Sequence, residues 1–348
     1  MSKSEKDHIR HANDLKIRSR RYVKNILIFS LAALSVILGF LLYRQNKKVN
    51  LKPGTTELSD ISKSFSMLRK HDKKLIAPLL MANVNVESQK MGVLKADLNM
   101  TIGEWEKKGH VKSVSVYLRD LNDGSWINID GTEQFMPGSL LKVPIMITWL
   151  KQEMEHPGTL KKEYVFTKPA QNLPAQAYES SSIIPNKKYK VSQLLDFMIV
   201  DSDNNATFVL IQNMDHEGFK KLFTTIGLPP ADLFNVNYSI SAMDFSRLLG
   251  LLYNATYLDE DLSEYALELL CKSKFHDGLV KSLPKNVMVA HKFGEHSTGD
   301  NVEFSESGIV YRNSEPYILT IMSRGNSVKD QTEMISELSD GVFHYFSE

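Results

Sequence analysis

The stretch "PGSLLKVPIMITWLK", residues 137–151, sets Ser139 and Lys142 three positions apart at the head of an apolar run. Pro144 is tolerated in a helix only within the first turn, so the spacing predicts a helix from Ser139 to about Glu155. On such a helix residues i and i+3 share a face, and the lysine can reach the serine hydroxyl. A serine is a poor nucleophile until a neighbour takes its proton; a lysine partly desolvated near other cations has its pKa lowered enough to do so. The positive end of the helix favours the negative charge that develops during attack. The plainer reading is a capping serine beside a lysine whose head reaches solvent. A second S-x-x-K, Ser282-Leu-Pro-Lys285, has nothing else to support it.

Working outward, Leu94, Leu98, Ile102 and Trp105 recur at helical spacing, and "VKSVSVYLRDLNDGSWINID" reads as two alternating runs joined by the turn signal "NDG", an antiparallel hairpin. Residues 160–285 read as mainly helical, with apolar periodicity in "VSQLLDFMIV", "ATFVLIQNM", "AMDFSRLLGLL" and "EYALELL". Strand character returns in "NVMVAHKFG", "SESGIVY" and "PYILTIMSRG", before a last helix over 329–346. Strands at both ends with helices between them predict an α/β (α+β) arrangement: one mixed lobe, one helical lobe and a cleft between. Two further short stretches stand out. Ser202-Asp203-Asn204 joins two apolar helical segments, where the plain reading is an Asx helix cap, and Lys292-Phe293-Gly294 ends a strand run.

Toward the amino end, Ile26–Tyr43 is an uncharged run of 18 residues, near the roughly 20 needed to cross a bilayer as a helix. Eight Lys and Arg lie within 1–24, while only Arg44, Lys47, Lys48 and Lys52 follow closely. The bias predicts a cytoplasmic tail (1–24), an uncleaved single-pass transmembrane anchor (25–44) and an exported remainder. The polar segment 45–85 then reads as a stalk or linker before a folded domain over 86–348.

Composition narrows the rest. With 42 basic and 41 acidic residues the net charge is +1, so no global field draws in nucleic acid. Cys271 is the single cysteine, which excludes an intramolecular disulfide, and no paired Cys/His spacing or HExxH suggests a metal. Nucleotide-binding glycine motifs are absent from the sequence, and no cofactor is expected.

The order S-x-x-K, S-D-N, K-x-G is that of serine β-lactamases and penicillin-binding proteins, and residues 86–348 resemble the class A β-lactamase and penicillin-binding catalytic domain. The resemblance implies an antiparallel sheet flanked by helices with an inserted all-helical lobe. It makes Ser139 the nucleophile that forms an acyl-enzyme, Lys142 its general base or a relay to one, and Ser202 the group passing a proton to the leaving nitrogen. Asn204 would bond the substrate's amide side chain, and Lys292 would keep the cleft positive for a carboxylate. Backbone N–H groups of Ser139 and Glu295 would hold the oxyanion, with Phe293 and Gly294 on the substrate side. The implied partner is a β-lactam or a peptidoglycan stem peptide.

Two departures stand out. Phe293 occupies the place of the usual Thr or Ser, removing a hydroxyl that would bond the substrate. The region after S-D-N, "IGLPPADLFNVNYSISAMDFSRLLG", contains no glutamate to activate a deacylating water; its only carboxylates are Asp232 and Asp244. Acylation without efficient turnover is therefore expected, with a functional β-lactamase and a non-catalytic anchored scaffold as the alternatives.

Overall fold

The computed structural model describes residues 67–69, 74–76, 79–82, 87–168, 178, 181–233, 238–298, 301–312 and 315–347. The expected cytoplasmic tail and membrane anchor lie outside the described residues. Among the described residues no helix is long and apolar enough to cross a membrane. Within the segment read as a stalk, β1 (Met67–Arg69) pairs antiparallel with β2 (Leu79–Ala82). Between them Leu75 is buried, its N–H donating to Glu264 at 2.8 Å and its carbonyl accepting from the Tyr311 hydroxyl at 2.7 Å.

Helix α1 (Gly92–Lys107) buries Leu94, Leu98 and Ile102, one residue per turn on a single face. The predicted hairpin follows as β3 (Val111–Asp120) and β4 (Trp126–Ile129), in register from Val116↔Ile129 to Arg119↔Trp126. β7 (Met288–Thr298), β8 (Asn301–Tyr311) and β9 (Tyr317–Gly325) complete an antiparallel five-stranded sheet of order β4-β3-β9-β8-β7. β7 is thus an edge strand. It runs four residues beyond Gly294, so Lys292-Phe293-Gly294 lies mid-strand rather than at a strand end, because β8 continues to pair with it through Thr298↔Asn301. One apolar cluster joins the sheet to α1 and to α8 (Val328–Tyr345).

A second apolar cluster belongs to the helical lobe. A 3-10 turn, Gly138–Leu141, leads into α2 (Lys142–Glu155), so α-helical geometry starts at Lys142 rather than Ser139. Every residue from Lys142 to Leu150 is buried, as for a helix apolar all round, and Pro144 sits in the first turn where its missing N–H is harmless. Around α2 pack α3 (Val191–Val200), α4 (Asn204–Asn213), α5 (His216–Thr225) and α7 (Glu260–Cys271), while α6 (Ala242–Asn254) lies against β3 and β9. The segment expected to be mainly helical also holds a small antiparallel pair, β5 (Glu163–Phe166) with β6 (Lys187–Lys190).

Candidate active site

Gly138 adopts φ +51, a conformation L side chains rarely take, and a Cβ there would meet the Glu295 backbone oxygen at 2.3 Å. Across the gap, a Cβ on Gly294 would meet the Pro137 oxygen at 2.1 Å and the Leu140 nitrogen at 2.8 Å. Two glycines therefore let the turn carrying Ser139 press against β7 backbone to backbone. This brings Ser139, half-buried, next to the strand that carries Lys292 and Glu295.

The N-cap positions beside Ser139 are Pro137 and Leu141, neither with a side-chain cap, so Ser139 is inside the turn and is not a capping serine. Lys142 is 3% exposed and does not reach solvent. Its Nζ donates to the backbone oxygen of Ser202, to Ser202 Oγ at 3.1 Å and to Asn204 Oδ1 at 2.9 Å. Burial pushes its ammonium down to about 7, against a partial upward pull from the Asp203 carboxylate. By contrast, Ser282 is exposed and donates to the Ser336 carbonyl at 2.8 Å, and Lys285 is exposed, so the second S-x-x-K is a surface feature.

Ser202-Asp203-Asn204 links α3 to α4, and both of its readings hold together. Asp203 is the N-cap of α4, accepting from Asn205 N and Ala206 N, and it also accepts from the Ile183 N–H at 3.0 Å and the Ser182 hydroxyl at 2.8 Å. That anchoring fixes its neighbours. Ser202 is held at φ +56, a costly backbone for a non-glycine residue, with its side chain buried between two lysines. Lys292 Nζ donates to Ser202 Oγ at 3.0 Å and to the Phe293 carbonyl at 2.9 Å, and lies 3.9 Å from the centroid of the Phe293 ring.

Lys292 was expected to keep the cleft positive. Instead burial first, and then the nearby Lys142 charge, hold its pKa well below the usual lysine range, with Glu306 opposing. Two ammonium groups bridged by one hydroxyl in a desolvated site disfavour each other's charge. The bridging Ser202 hydroxyl can accept from one amine and donate to the other, which is the geometry of a proton relay.

Phe293 is 2% exposed, packed 4.3 Å from Phe275 and 5.9 Å from Phe304. Of the two loop carboxylates, Asp232 is exposed and feels Lys220 of α5. The Asp244 N–H donates the N-cap bond of α6 to Ser241 Oγ at 3.1 Å, its carboxylate accepts from that hydroxyl at 2.8 Å and pairs with Arg247 at 3.1 Å, so Asp244 serves the helix start.

Some of the site was not legible in the motifs. His291 Nδ1 lies 2.6 Å from Glu306 Oε1 with both side chains buried, directly behind Lys292 in sequence, and Glu306 also accepts the Leu279 N–H at 2.9 Å. The only signal for it was a charged residue at an inward strand position. Among the described residues no group of acidic, histidine and cysteine side chains could hold a metal.

Residues 94–346 match the family described as the β-lactamase enzyme family. No curated protein sequence matches the chain. Solved structures similar to it include PBP-A, at 21% identity and TM-score 0.63, covering 75% of this chain and 98% of that one. A variant of PBP-A in acyl-enzyme complex with penicillin G matches at 21% identity and TM-score 0.60, over 73% and 97%. A class A β-lactamase from Mycobacterium abscessus matches at 17% identity and TM-score 0.62, over 73% and 100%. The match over 94–346, together with a shared α+β fold that brings Ser139, Lys142, Ser202 and Lys292 to one cleft, places this chain in the β-lactamase enzyme family of serine enzymes.

Proposed function

We propose that the chain is a serine acyl-transfer enzyme that forms an acyl-enzyme at Ser139 with β-lactams or D-alanyl-D-alanine-type peptides and releases the acyl group slowly. The observation that carries this reading is the buried Lys142-Ser202-Lys292 network, in which Lys142 has a pKa brought down to about 7 and stands one turn from Ser139. A neutral Lys142 takes the Ser139 proton, Oγ bonds to the substrate carbonyl carbon, and the oxyanion rests on the backbone N–H groups of Ser139 and Glu295. As the C–N bond breaks, the leaving nitrogen takes the proton of Ser202 Oγ, which is replenished from Lys142 or Lys292. Asn204, already held by Lys142, presents its N–H₂ to a substrate carbonyl.

Slow release follows from the segment 226–250, the loop after α5 with the start of α6. It contains no glutamate, and its two aspartates are engaged elsewhere, Asp244 in a helix cap and Asp232 exposed toward Lys220. A working β-lactamase is the second reading, favoured by the class A neighbour; sustained nitrocefin hydrolysis that vanishes in Ser139→Ala would support it. The apolar run Ile26–Tyr43 with its basic amino flank supports a single-pass anchor that holds the enzyme on the outer face of the membrane, toward peptidoglycan.

The test is intact-protein mass spectrometry after brief and long exposure to benzylpenicillin. An adduct that appears in the wild-type protein, persists for hours and is absent in folded Ser139→Ala is the expected result. No adduct at any time in folded wild-type protein would overturn the proposal, and rapid decay would transfer it to the β-lactamase reading.

A further inference from the structure

The chain reaches Ser139 through Gln134, Phe135 and Met136. Phe135 is buried, and its backbone pairs with Ile240: the Phe135 N–H donates to the Ile240 carbonyl at 3.1 Å, and the Phe135 carbonyl accepts from the Ile240 N–H at 2.9 Å. In extended chain the polar groups of successive residues point to opposite edges. The Gln134 carbonyl and the Met136 N–H therefore face the edge away from Ile240, and there a charged side-chain pair takes the place of a strand. Arg324 Nη2 donates to the Gln134 carbonyl at 3.2 Å, and Glu303 Oε2 accepts from the Met136 N–H.

Arg324 and Glu303 are direct cross-strand partners on β9 and β8, joined from Nε to Oε1 at 2.9 Å. One supplies the donor and the other the acceptor. Arg324 also donates to Glu133 Oε1 at 3.1 Å and to Ser113 Oγ of β3 at 3.3 Å, and its guanidinium carbon lies 5.0 Å from the centroid of the Phe135 ring. The Glu303 and Arg324 side chains are 12% and 29% exposed, so these charge-assisted bonds are partly withdrawn from water and stronger than neutral ones. Only Pro137 and Gly138 separate Met136 from Ser139, and the turn has no side-chain cap of its own. It is held instead at two points, by Glu303 at Met136 and by the close approach of Gly138 to the Glu295 backbone. Both points belong to the β7–β8 hairpin, in which Glu303 pairs with His296, the residue after Glu295.

We infer that Arg324 and Glu303 are positioning residues for acylation, which act through the backbone of 134–136 to set Ser139 against the oxyanion donors. The inference rests on the acyl-transfer reading. Misplacing a reacting atom by about 1 Å can slow a reaction by about 10²-fold, so the pair should govern the acylation step far more than the binding that precedes it. Single-turnover acylation of the full chain by benzylpenicillin separates the two. Arg324→Ala is expected to lower the limiting rate by at least about tenfold and to leave affinity within about threefold. Millimolar ethylguanidinium, which Glu303 and Glu133 can still hold, is expected to restore part of that rate, while ammonium at the same concentration is not. Glu133→Gln, which removes a partner of Arg324 but no bond to 134–136, is expected to keep the rate within about threefold. Should Arg324→Ala fail to fold, Arg324→Lys carries the same test, because one ammonium cannot reproduce the fork that spans Glu303 and the Gln134 carbonyl. A wild-type limiting rate in the folded variant, equal losses of rate and affinity, or a loss in Arg324→Ala that ethylguanidinium does not restore overturns the inference. Amide hydrogen exchange reads the same grip without any reaction: exchange over 134–140 is expected to quicken in the variant, and unchanged exchange there also overturns it. Wild-type protein that is never acylated would sink the acyl-transfer reading, and the exchange result alone would then decide whether the grip stands.

Discussion

Replacing Lys142 by methionine should remove activity and make the change in stability depend on pH. The Lys142 ammonium is buried, and its pKa falls from 10.5 to about 7; at 1.36 kcal/mol per unit this represents roughly 5 kcal/mol of folding free energy spent on keeping the charged form in the folded protein. The unfolded chain holds this proton more firmly, so stability rises with pH between about 7 and 10.5, and the cost is present in full below about 7. Methionine removes that cost but forfeits the donors to Ser202 O, Ser202 Oγ and Asn204 Oδ1, charge-assisted bonds contributing about 1.5–3 kcal/mol each. The two effects are of similar size below pH 7, so the variant is no more stable than the wild-type protein there and falls further behind it as pH rises toward 9. Acylation should meanwhile fall by about 10²–10⁴-fold with the loss of the general base, and in the wild-type protein it should fall about tenfold per pH unit below 7. Urea denaturation at pH 6 and pH 9, beside stopped-flow acylation from pH 5 to 9, measures all of this. A variant that acylates at the wild-type rate would refute the assignment of Lys142. A variant several kcal/mol less stable at pH 6, with no pH dependence in the difference, would refute the electrostatic account.

Other changes probe the supports of the site. Asp203 pulls the Lys142 pKa upward, so Asp203→Asn should move the acidic limb of the acylation profile to lower pH while costing about 0.5–2 kcal/mol of cap stability, read by the same titrations. Gly138→Ala puts a Cβ 2.3 Å from the Glu295 carbonyl oxygen at φ +51; displacing the oxyanion donors should slow acylation by about 10²-fold or more, with penicillin affinity in a non-acylating Ser139→Ala background changed far less. Glu306→Gln weakens the buried partner of His291 and the acceptor of the Leu279 N–H, and thermal melting should show a loss of about 3–5 kcal/mol. Asp232→Asn should leave the lifetime of the acyl-enzyme unchanged, since Asp232 is exposed toward Lys220; a longer lifetime would make it a deacylating base.

Local chemistry was the legible part of this fold. "NDG" between alternating runs specified the β3-β4 hairpin, and Pro144 fixed where α2 could begin, to within the single 3-10 turn that carries Ser139. Ser139, Lys142, Ser202, Asn204 and Lys292 were readable because each lies within a short motif with chemical content. What escaped was non-local. β5 and β6 are separated by twenty residues with no turn signal pointing one at the other, and "KKYK" has no apolar alternation. The strand order β4-β3-β9-β8-β7 depends on pairing between ends of the chain, which periodicity does not encode. Phe293 read as a missing hydroxyl; only the fold shows that Tyr178, Phe275 and Phe304 come from three other segments to make it part of an aromatic wall. That burial pulls the Lys292 pKa down was not legible, because burial is a property of the assembled cleft.

The central claim is that Ser139, activated by Lys142, is the residue acylated. Trypsin cleaves after Arg119 and after Lys142, so residues 120–142 form one peptide carrying Ser139. Brief labelling with benzylpenicillin, acid quench and peptide mapping should place the whole adduct on Ser139 within that peptide, with labelling reduced at least a hundredfold in Lys142→Met, where the lost tryptic site extends the peptide to 120–151. An adduct on Ser202 or on a lysine, or undiminished labelling of Ser139 in Lys142→Met, would contradict the account.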